Sequence, residues 1–368
     1  MHLYVHVPFC ARRCSYCDFS IAVRRTDPSS EFAAAILTEW QGWQRAPWWA
    51  EVGPIESIYF GGGTPSRVTP ETITVLLERF ALDRVVRADA EITLEANPED
   101  VDRDRARGWR GAGVNRVSLG VQSFTPSALR WMHRVHDADR PAESMATLRD
   151  AGIGNVSIDL IYGLPGSVAR SWPEDLDRAL RLDPEHLSLY GLTVEPATPL
   201  GKWVARGDTV PAPEGIAAAE YLAAHRVLAE AGWNHYEVSN ASRPGFESRH
   251  NQAYWRRRSY LGLGPAAHSA HGNRRWWNLR DWAGYQRAVA AGGPVVAGQE
   301  DLTGPQVALE QLYLGLRTRE GVPASSLPAT TLQLWEAAGW AEQDGSRVRL
   351  TVEGWLRLDS LVRQAGTT

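Results

Sequence analysis

The chain has 368 residues, of which 43% are hydrophobic and 22% charged, as in an ordinary globular protein. This length suffices for one large domain and a small one. The formal net charge of −4 does not favour nucleic acid as a partner, because proteins that bind it usually carry a basic excess. No stretch approaches the roughly 20 apolar residues of a membrane span, and no signal peptide is recognisable, so we expect a cytoplasmic protein.

The first predicted element is a strand over Leu3–Phe9, and the three cysteines of the chain follow it directly. They are Cys10, Cys14 and Cys17, in the spacing C-x3-C-x2-C. An odd, clustered set does not suit a disulfide framework. Thiolates favour zinc or iron–sulfur clusters, and three of them can hold a 4Fe–4S cluster whose fourth iron stays open to another ligand. The spacing therefore predicts such a cluster.

Two other interpretations of the cysteines are open. A structural zinc site normally has four protein ligands, so His6 or His2 would have to supply the fourth. Because side chains alternate along a strand, His6 is expected to face away from the cysteines. The cysteines could also bind nothing, although free cysteines are usually buried singly rather than grouped beside Arg12 and Arg13.

Further along the chain, short apolar runs alternate with segments of helical periodicity. Capping residues mark the helix starts, since Thr69 and Thr125 each precede a proline and Ser171 precedes another helical run. Strands separated by helices predict a parallel sheet with right-handed crossovers, whose chemistry lies beyond the C-terminal ends of the strands. The six predicted strands are Leu3–Phe9, Ser57–Gly61, Glu91–Ala96, Arg116–Val121, Val156–Ile161 and His186–Leu192.

The pattern changes from about residue 303 onwards. Helical periodicity in Val307–Arg317 and Leu332–Ala338 precedes an alternating strand, Arg347–Thr351, and a helix over Trp355–Arg363. This order predicts a small winged-helix-like α+β module. It shows no densely basic helix that would read DNA, so we expect a role in packing or in binding a partner protein. We expect Gly292–Gly304 to be the linker before it.

Polar and glycine-containing motifs follow the predicted strands. The three glycines before Pro65 would let backbone groups approach a ligand closely, although they could form only a tight turn. Glu95 and Gln122 end two strands, where they could bind hydroxyl groups or simply face solvent. Arg134 could pair with a carboxylate. Asp159 lies within a buried strand, where a carboxylate needs a partner, and this favours a functional role.

These motifs, in this order, resemble the radical S-adenosylmethionine superfamily. The resemblance implies a partial (β/α)6 barrel over residues 1–232, a haem-motif segment and linker over 233–302, and the winged-helix-like module over 303–368. It also implies a 4Fe–4S cluster and S-adenosylmethionine, with reductive cleavage to methionine and a 5′-deoxyadenosyl radical as the chemistry of that pair. The positions that it assigns to S-adenosylmethionine are Tyr4, Gly62, Gly63, Thr64, Glu95, Gln122, Arg134 and Asp159.

Within the superfamily, the chain is most similar to the coproporphyrinogen-dehydrogenase-like branch. The dehydrogenase itself carries another cysteine two residues after the third cluster ligand, where this chain has Phe19, and a long extension where only nine residues precede Cys10. His250–Trp255 matches the HNxxYW motif of a haem-chaperone group in that branch. The match implies that His250, Tyr254 and Trp255 bind haem, with Arg256–Arg258 near its propionates. A structural turn beside solvated arginines is the ordinary alternative.

The resemblance therefore implies a haem chaperone that binds haem and transfers it to an acceptor protein, while carrying a 4Fe–4S cluster and S-adenosylmethionine. The acceptor is not identified by the sequence, and peripheral association with a membrane could occur through it. The first alternative is an oxygen-independent coproporphyrinogen III dehydrogenase, an oxidoreductase that uses the radical. Another is a radical enzyme with an unrelated substrate, which would leave His250–Trp255 unexplained.

Overall fold

The computed structural model describes residues 1–26 and 28–366, and its largest element is a twelve-stranded sheet. The strands are β1 (His2–Val7), β2 (Phe9–Cys10), β3 (Ala22–Val23), β4 (Ile55–Gly62), β5 (Val86–Ala96), β6 (Arg116–Gln122), β7 (Asn155–Tyr162), β8 (His186–Gly191), β9 (Asn234–Glu237), β10 (Asn240–Ser242), β11 (Tyr260–Leu263), β12 (His268–His271), β13 (Arg274–Asn278), β14 (Val296–Asp301), β15 (Val322–Pro323), β16 (Ala341–Asp344) and β17 (Arg347–Leu350).

Helices separate most of these strands. They are α1 (Ser29–Trp43), α2 (Pro70–Asp83), α3 (Arg103–Ala112), α4 (Pro126–Trp131), α5 (Arg140–Asp150), α6 (Trp172–Arg181), α7 (Pro199–Arg206), α8 (Glu214–Glu230), α9 (Arg249–Trp255), α10 (Trp282–Ala290), α11 (Gly304–Leu316), α12 (Ala329–Ala337), α13 (Val352–Trp355) and α14 (Leu358–Gly366). The predicted caps at Thr69 and Ser171 are present, since each side chain accepts a hydrogen bond from the backbone N–H three residues further along the chain.

Six strands, in the order β1-β4-β5-β6-β7-β8, run parallel and confirm the predicted α/β fold. The sheet is extended on one side by β11 to β14 and on the other by β10 and β9, and it stays open because β14 and β9 lie at opposite edges. This is the form of a partial barrel. Its C-terminal strand ends lie along one edge, where parallel α/β proteins place their sites.

Two segments differ from the expectation. The predicted linker contains β14, which pairs antiparallel with β13, because residues 296–301 satisfy their backbone groups at the sheet edge. The segment from residue 233 to 302 therefore supplies strands at both edges of the large sheet, with β9 and β10 at one and β11 to β14 at the other. The division of the chain at 232 and 302 stays a prediction.

The C-terminal part has its own three-stranded sheet, in the order β15-β17-β16, and a separate hydrophobic core around Trp335 and Leu316. Helices α11, α12 and α14 correspond to the predicted helices, and β17 to the predicted strand. Arg317, just after α11, forms an ion pair of 2.9 Å with the fully buried Glu237 of β9. The module is therefore fastened to the edge of the barrel. None of the helices in residues 1–26 and 28–366 combines the length and the apolarity that crossing a bilayer requires.

The inner face of the parallel strands is unusually polar. On β1, Leu3, Val5 and Val7 enter the hydrophobic core, whereas His2 lies on the opposite face. His2 Nδ1 lies 2.8 Å from Ser57 Oγ, which in turn lies 2.7 Å from a ring nitrogen of His250. Burial lowers the pKa of His2 to about 4 and lowers that of His250 well below its ordinary value. Both rings are therefore neutral at pH 7.

We expect this interior to make the fold sensitive to acid. In the unfolded chain His2 binds a proton below about pH 6.5, whereas in the native protein it does so only near pH 4. The free energy of unfolding therefore falls as the pH falls from 6.5 to 4. The contribution of His2 is about 2 kcal/mol between pH 7 and pH 5. In urea titrations at both pH values, His2→Asn, which can still bond Ser57, should lose correspondingly less stability than the wild type. Equal losses would contradict this origin of the acid sensitivity.

Candidate functional site

The cysteines lie on a loop whose two ends are joined by backbone hydrogen bonds. The short strands β2 and β3 pair in parallel, with Ala22 N donating to Pro8 O at 2.7 Å and Arg24 N donating to Cys10 O at 3.0 Å. Within the loop, Cys17 N donates to Cys14 O at 3.4 Å. The loop is therefore tied down at its base, directly beyond the C-terminal end of β1.

All three thiols line one cavity of about 450 Å³ at the C-terminal ends of the strands. They are free, and no disulfide joins them. The Thr64 hydroxyl donates to Cys10 Sγ at 3.4 Å, and an Arg134 Nη donates to Cys14 Sγ at 3.7 Å. Burial raises the pKa of Cys10 to about 11 and raises that of Cys17. Without cationic ligands these two thiols stay protonated at pH 7, and a bound metal would supply the charge that stabilises thiolates.

The histidines that a zinc site would need are engaged elsewhere. His6 Nδ1 lies 3.1 Å from the Tyr4 hydroxyl and its Nε2 lies 3.0 Å from Ser20 O, while His2 bonds Ser57 inside the barrel. Across residues 1–26 and 28–366, no three His, Cys, Asp or Glu side chains are placed to ligate a single metal ion. Thiolates that each bond a different iron of a cubane need not converge on one point, so this arrangement suits a cluster better than zinc.

The glycine segment after β4 packs directly against the cysteine loop. A Cβ on Gly63 would lie 2.8 Å from the Pro8 carbonyl and 3.0 Å from Cys10 Sγ. Gly62 has a positive φ of 112°, and a Cβ there would lie 2.6 Å from the His6 ring. Side chains are therefore excluded at both positions, which brings the backbone of residues 62–64 to the wall of the cavity.

Two carboxylates face the same cavity from neighbouring parts of the sheet. Glu95 accepts hydrogen bonds from the Tyr59 hydroxyl at 2.8 Å and from Gly62 N at 3.0 Å. Burial raises its pKa to about 7. Asp159 accepts from Ser118 Oγ at 3.0 Å, and burial raises its pKa as well. Because a carboxylate can accept several hydrogen bonds, both retain capacity for hydroxyl donors of a ligand.

Gln122 and Arg134 complete the polar lining of the cavity. Gln122 ends β6 with a positive φ of 69°, a conformation that costs energy for a residue other than glycine and often marks functional positions. Arg134 is held by Asn97 Oδ1 at 2.6 Å and Gly120 O at 2.7 Å. Its Nε is buried and without a hydrogen-bond partner, so it is a donor available to a carboxylate in the cavity.

The cavity therefore brings together the three cysteines and seven of the eight positions assigned to S-adenosylmethionine. Tyr4 is the exception, since it lies on the inner face of β1 and lines a second cavity. That these residues bind S-adenosylmethionine stays a prediction. Asn97 and Tyr59, which position Arg134 and Glu95, were not among the predicted site residues. Asn97 could have been found, because it directly follows the strand that contains Glu95.

The second cavity, of about 590 Å³, is lined by Tyr254 and Trp255 but not by His250. His250 is 1% exposed, and its ring nitrogens bond Ser57 at 2.7 Å and the Tyr254 hydroxyl at 2.8 Å. Arg256 does not line this cavity either, and it pairs with Glu320 instead. The structure thus brings together two of the three residues that were expected to bind haem.

Comparison with known proteins agrees with this geometry. The pattern of the Radical SAM superfamily matches residues 4–179. The protein named Heme chaperone HemW of Mycobacterium tuberculosis is 35% identical over 98% of this chain and 93% of its own length. The mitochondrial radical S-adenosyl methionine domain-containing protein 1 of Bos taurus is 35% identical over 98% of this chain and 86% of its own.

A solved structure shows the same fold. The coproporphyrinogen III oxidase HemN of Escherichia coli, described as a radical SAM enzyme, superimposes with a TM-score of 0.82 over 99% of this chain and 89% of its own. The two are 23% identical, so this likeness concerns the fold alone. From the near-complete match to relatives at 35% identity, the chain belongs to the radical S-adenosylmethionine superfamily and, within it, to the family of the proteins named Heme chaperone HemW.

Proposed function

We propose that this protein is a haem chaperone, which binds haem and passes it to an acceptor protein. The similarity over 98% of the chain to a protein named Heme chaperone HemW carries this proposal. Phe19 supports it, because it stands where the resemblance places a further cysteine in the dehydrogenase. The acceptor is a protein partner, through which the chain would reach a membrane surface. The three free thiols suit a reducing compartment, and we place the protein in the cytoplasm.

The proposal includes a 4Fe–4S cluster on Cys10, Cys14 and Cys17, with S-adenosylmethionine in the adjoining cavity. Three thiols and a cavity wall of bare backbone fit these two groups. When bound, the pair supplies one-electron chemistry at the iron that the cysteines leave open. Arg134 would bind the carboxylate of the methionine moiety through its unpartnered Nε, and Glu95 would accept from ribose hydroxyls. Asp159 and Gln122 would hold the remaining polar groups.

Removing any one cysteine should abolish cluster assembly, because the chain contains no fourth thiol that could replace it. After anaerobic reconstitution, Cys10→Ala, Cys14→Ala and Cys17→Ala should each lack the brown iron–sulfur absorbance. Their melting temperatures should stay near that of the metal-free wild type, because the core is apolar and lies outside the loop. A triple variant that still bound four irons per chain would show that these residues are not the ligands.

Adding a single methyl group at Gly63 should have a similar effect without touching a ligand. The new Cβ would collide with the Pro8 backbone and press on Cys10 Sγ, so the loop must move. Gly63→Ala should therefore lose most of its iron and sulfide after reconstitution. Gly53→Ala is the matched control, since no atom lies within 4 Å of a Cβ there, and it should keep the wild-type content. Full cluster content in Gly63→Ala would refute the close packing.

The function is tested by offering the reconstituted protein both haem and coproporphyrinogen III under reducing, anaerobic conditions with S-adenosylmethionine. We expect the protein to retain haem through gel filtration, to release it to an apo-haemoprotein, and to leave coproporphyrinogen III unchanged. The triple cysteine variant is the control for any turnover. Formation of protoporphyrinogen IX that depends on the three cysteines would make the protein a dehydrogenase and would refute the chaperone proposal.

A further inference from the structure

The second cavity lies beside the first and shares a wall with it. Phe19, on the cysteine loop, is 58% exposed and lines both cavities. Glu310 and Leu314 of α11 also line the second cavity, so it lies between the barrel and the C-terminal module. Its volume of about 590 Å³ falls within the range of small-molecule sites, which is roughly 300–1,000 Å³.

The walls of this cavity suit a flat aromatic ligand. Tyr254 and Trp255 of α9 and Phe19 of the cysteine loop contribute rings. Tyr260 packs edge-on against Tyr254, with ring centroids 4.6 Å apart, and holds that ring in place. The Trp255 indole N–H is buried and has no hydrogen-bond partner, so it remains free to donate to a bound group. A large planar molecule with polar edges would satisfy both features.

The charge of the cavity matches a dianion. Its ionised lining groups are the guanidinium groups of Arg257, Arg258 and Arg275 and the carboxylate of Glu310, a formal excess of two positive charges. Arg257 and Arg275 both pair with Glu310, the latter at 2.7 Å. Nη2 of Arg257 is buried without a partner, and Arg258 forms no ion pair with any residue of 1–26 and 28–366. Two carboxylates on one ligand, such as the propionates of haem, would neutralise this excess.

One histidine of the cavity is free to bind a metal. His268, at the start of β12, is exposed to the cavity, and none of the described residues hydrogen-bonds its ring. The ring stacks on Trp277 with centroids 5.9 Å apart, which fixes its plane. Burial lowers its pKa, which favours the neutral imidazole that metals bind. His6 also lines the cavity, but both of its ring nitrogens are bonded within the protein.

His250 is placed for a different task. Its two ring nitrogens join Ser57 of β4 to the Tyr254 hydroxyl, and its backbone N–H donates to Glu91 at 3.0 Å. Tyr254 lies four residues further along α9, so His250 orients the ring that forms the cavity wall. Bonding to an iron in the cavity would require His250 to leave the barrel, which would leave the Tyr254 hydroxyl without this partner and Ser57 with His2 alone.

We propose that His268, rather than His250, is the protein ligand of haem iron in this second cavity, with Arg257 and Arg258 at the propionates and His250 as a positioning residue for Tyr254. This inference rests on the proposed function, since it assumes that haem is the cargo. It names the residues that would recognise haem, and it places the cargo against the cysteine loop through Phe19.

The test is a haem titration of the cluster-containing protein, followed by difference absorbance against the same protein without haem and by resonance Raman spectroscopy of the iron ligands. His268→Ala should bind haem at least about tenfold more weakly, and its spectrum should lose the imidazole ligand and regain it when free imidazole is added. His271→Ala is the matched control. His271 lies three residues away, bonds Ser259 at 3.1 Å and does not line the cavity, so the variant should match the wild type.

Two further variants separate the possible results. His250→Asn should lower the melting temperature yet keep the imidazole-ligated spectrum of the folded protein. Arg258→Glu should weaken binding without changing the spectrum. If the wild type binds no haem, the proposed function fails. If the wild type binds haem, two results would show that the assignment to His268 is wrong while the chaperone proposal stands. One is that His268→Ala binds haem with the affinity and spectrum of the wild type. The other is that folded His250→Asn loses the imidazole ligand.

Discussion

The C-terminal end of β1 is enclosed on both sides by glycine backbone, and the position of the cysteine loop depends on this. On one side, Gly62 and Gly63 lie against His6, Pro8 and Cys10 with no room for a Cβ. On the other side, a Cβ on Gly264 would lie 2.6 Å from His6 O, and this glycine also has a positive φ of 97°. Any larger side chain would push the loop away from the strand ends, and the thiols would leave the cavity.

The same contact helps to position the polar residues that line the first cavity. The Gly62 N–H that faces away from β1 donates to Glu95, and Tyr59 holds the other oxygen of that carboxylate. Arg134 then joins Asn97, Gly120 O and Cys14 Sγ. Burial lowers the pKa of Arg134, but interactions with the ionisable groups of Tyr16, Cys14 and Glu99 raise it above its ordinary value, so the guanidinium stays charged. Cys10, Cys14 and the polar groups are thus each held by hydrogen bonds to other residues of the cavity wall.

Polar residues inside the barrel support the wall of the second cavity. His2, Ser57, His250 and Tyr254 form a continuous chain of contacts between 2.7 and 2.8 Å from β1 to the wall of that cavity. Buried polar groups are costly unless each has a partner, and here every member of the chain has one. The expected result is a rigid wall for the cavity, at the expense of stability in acid. Phe19 contributes an exposed aromatic ring to both cavities.

Much of this protein could be predicted from its sequence alone, because the signals are local. The cysteine spacing, the six apolar strands and the capping residues each lie within a few adjacent positions, and the order of motifs after the strands predicted the fold class. The topology of a parallel sheet then brings strand ends together, so seven of the eight positions assigned to S-adenosylmethionine line one cavity with the cysteines. The edge strand β14 was missed because its polar residues resemble a linker when no partner strand is known.

Only the tertiary structure decided the environment of each histidine. His250 stands in a motif and His268 in an ordinary strand, and nothing in the adjacent residues reveals that the first is 1% exposed inside the barrel while the second faces a cavity. The same holds for the charge of that cavity, since Arg257, Arg275 and Glu310 lie on three distant segments of the chain. Burial and charge balance depend on which distant segments meet, and this is settled by packing rather than by neighbouring sequence.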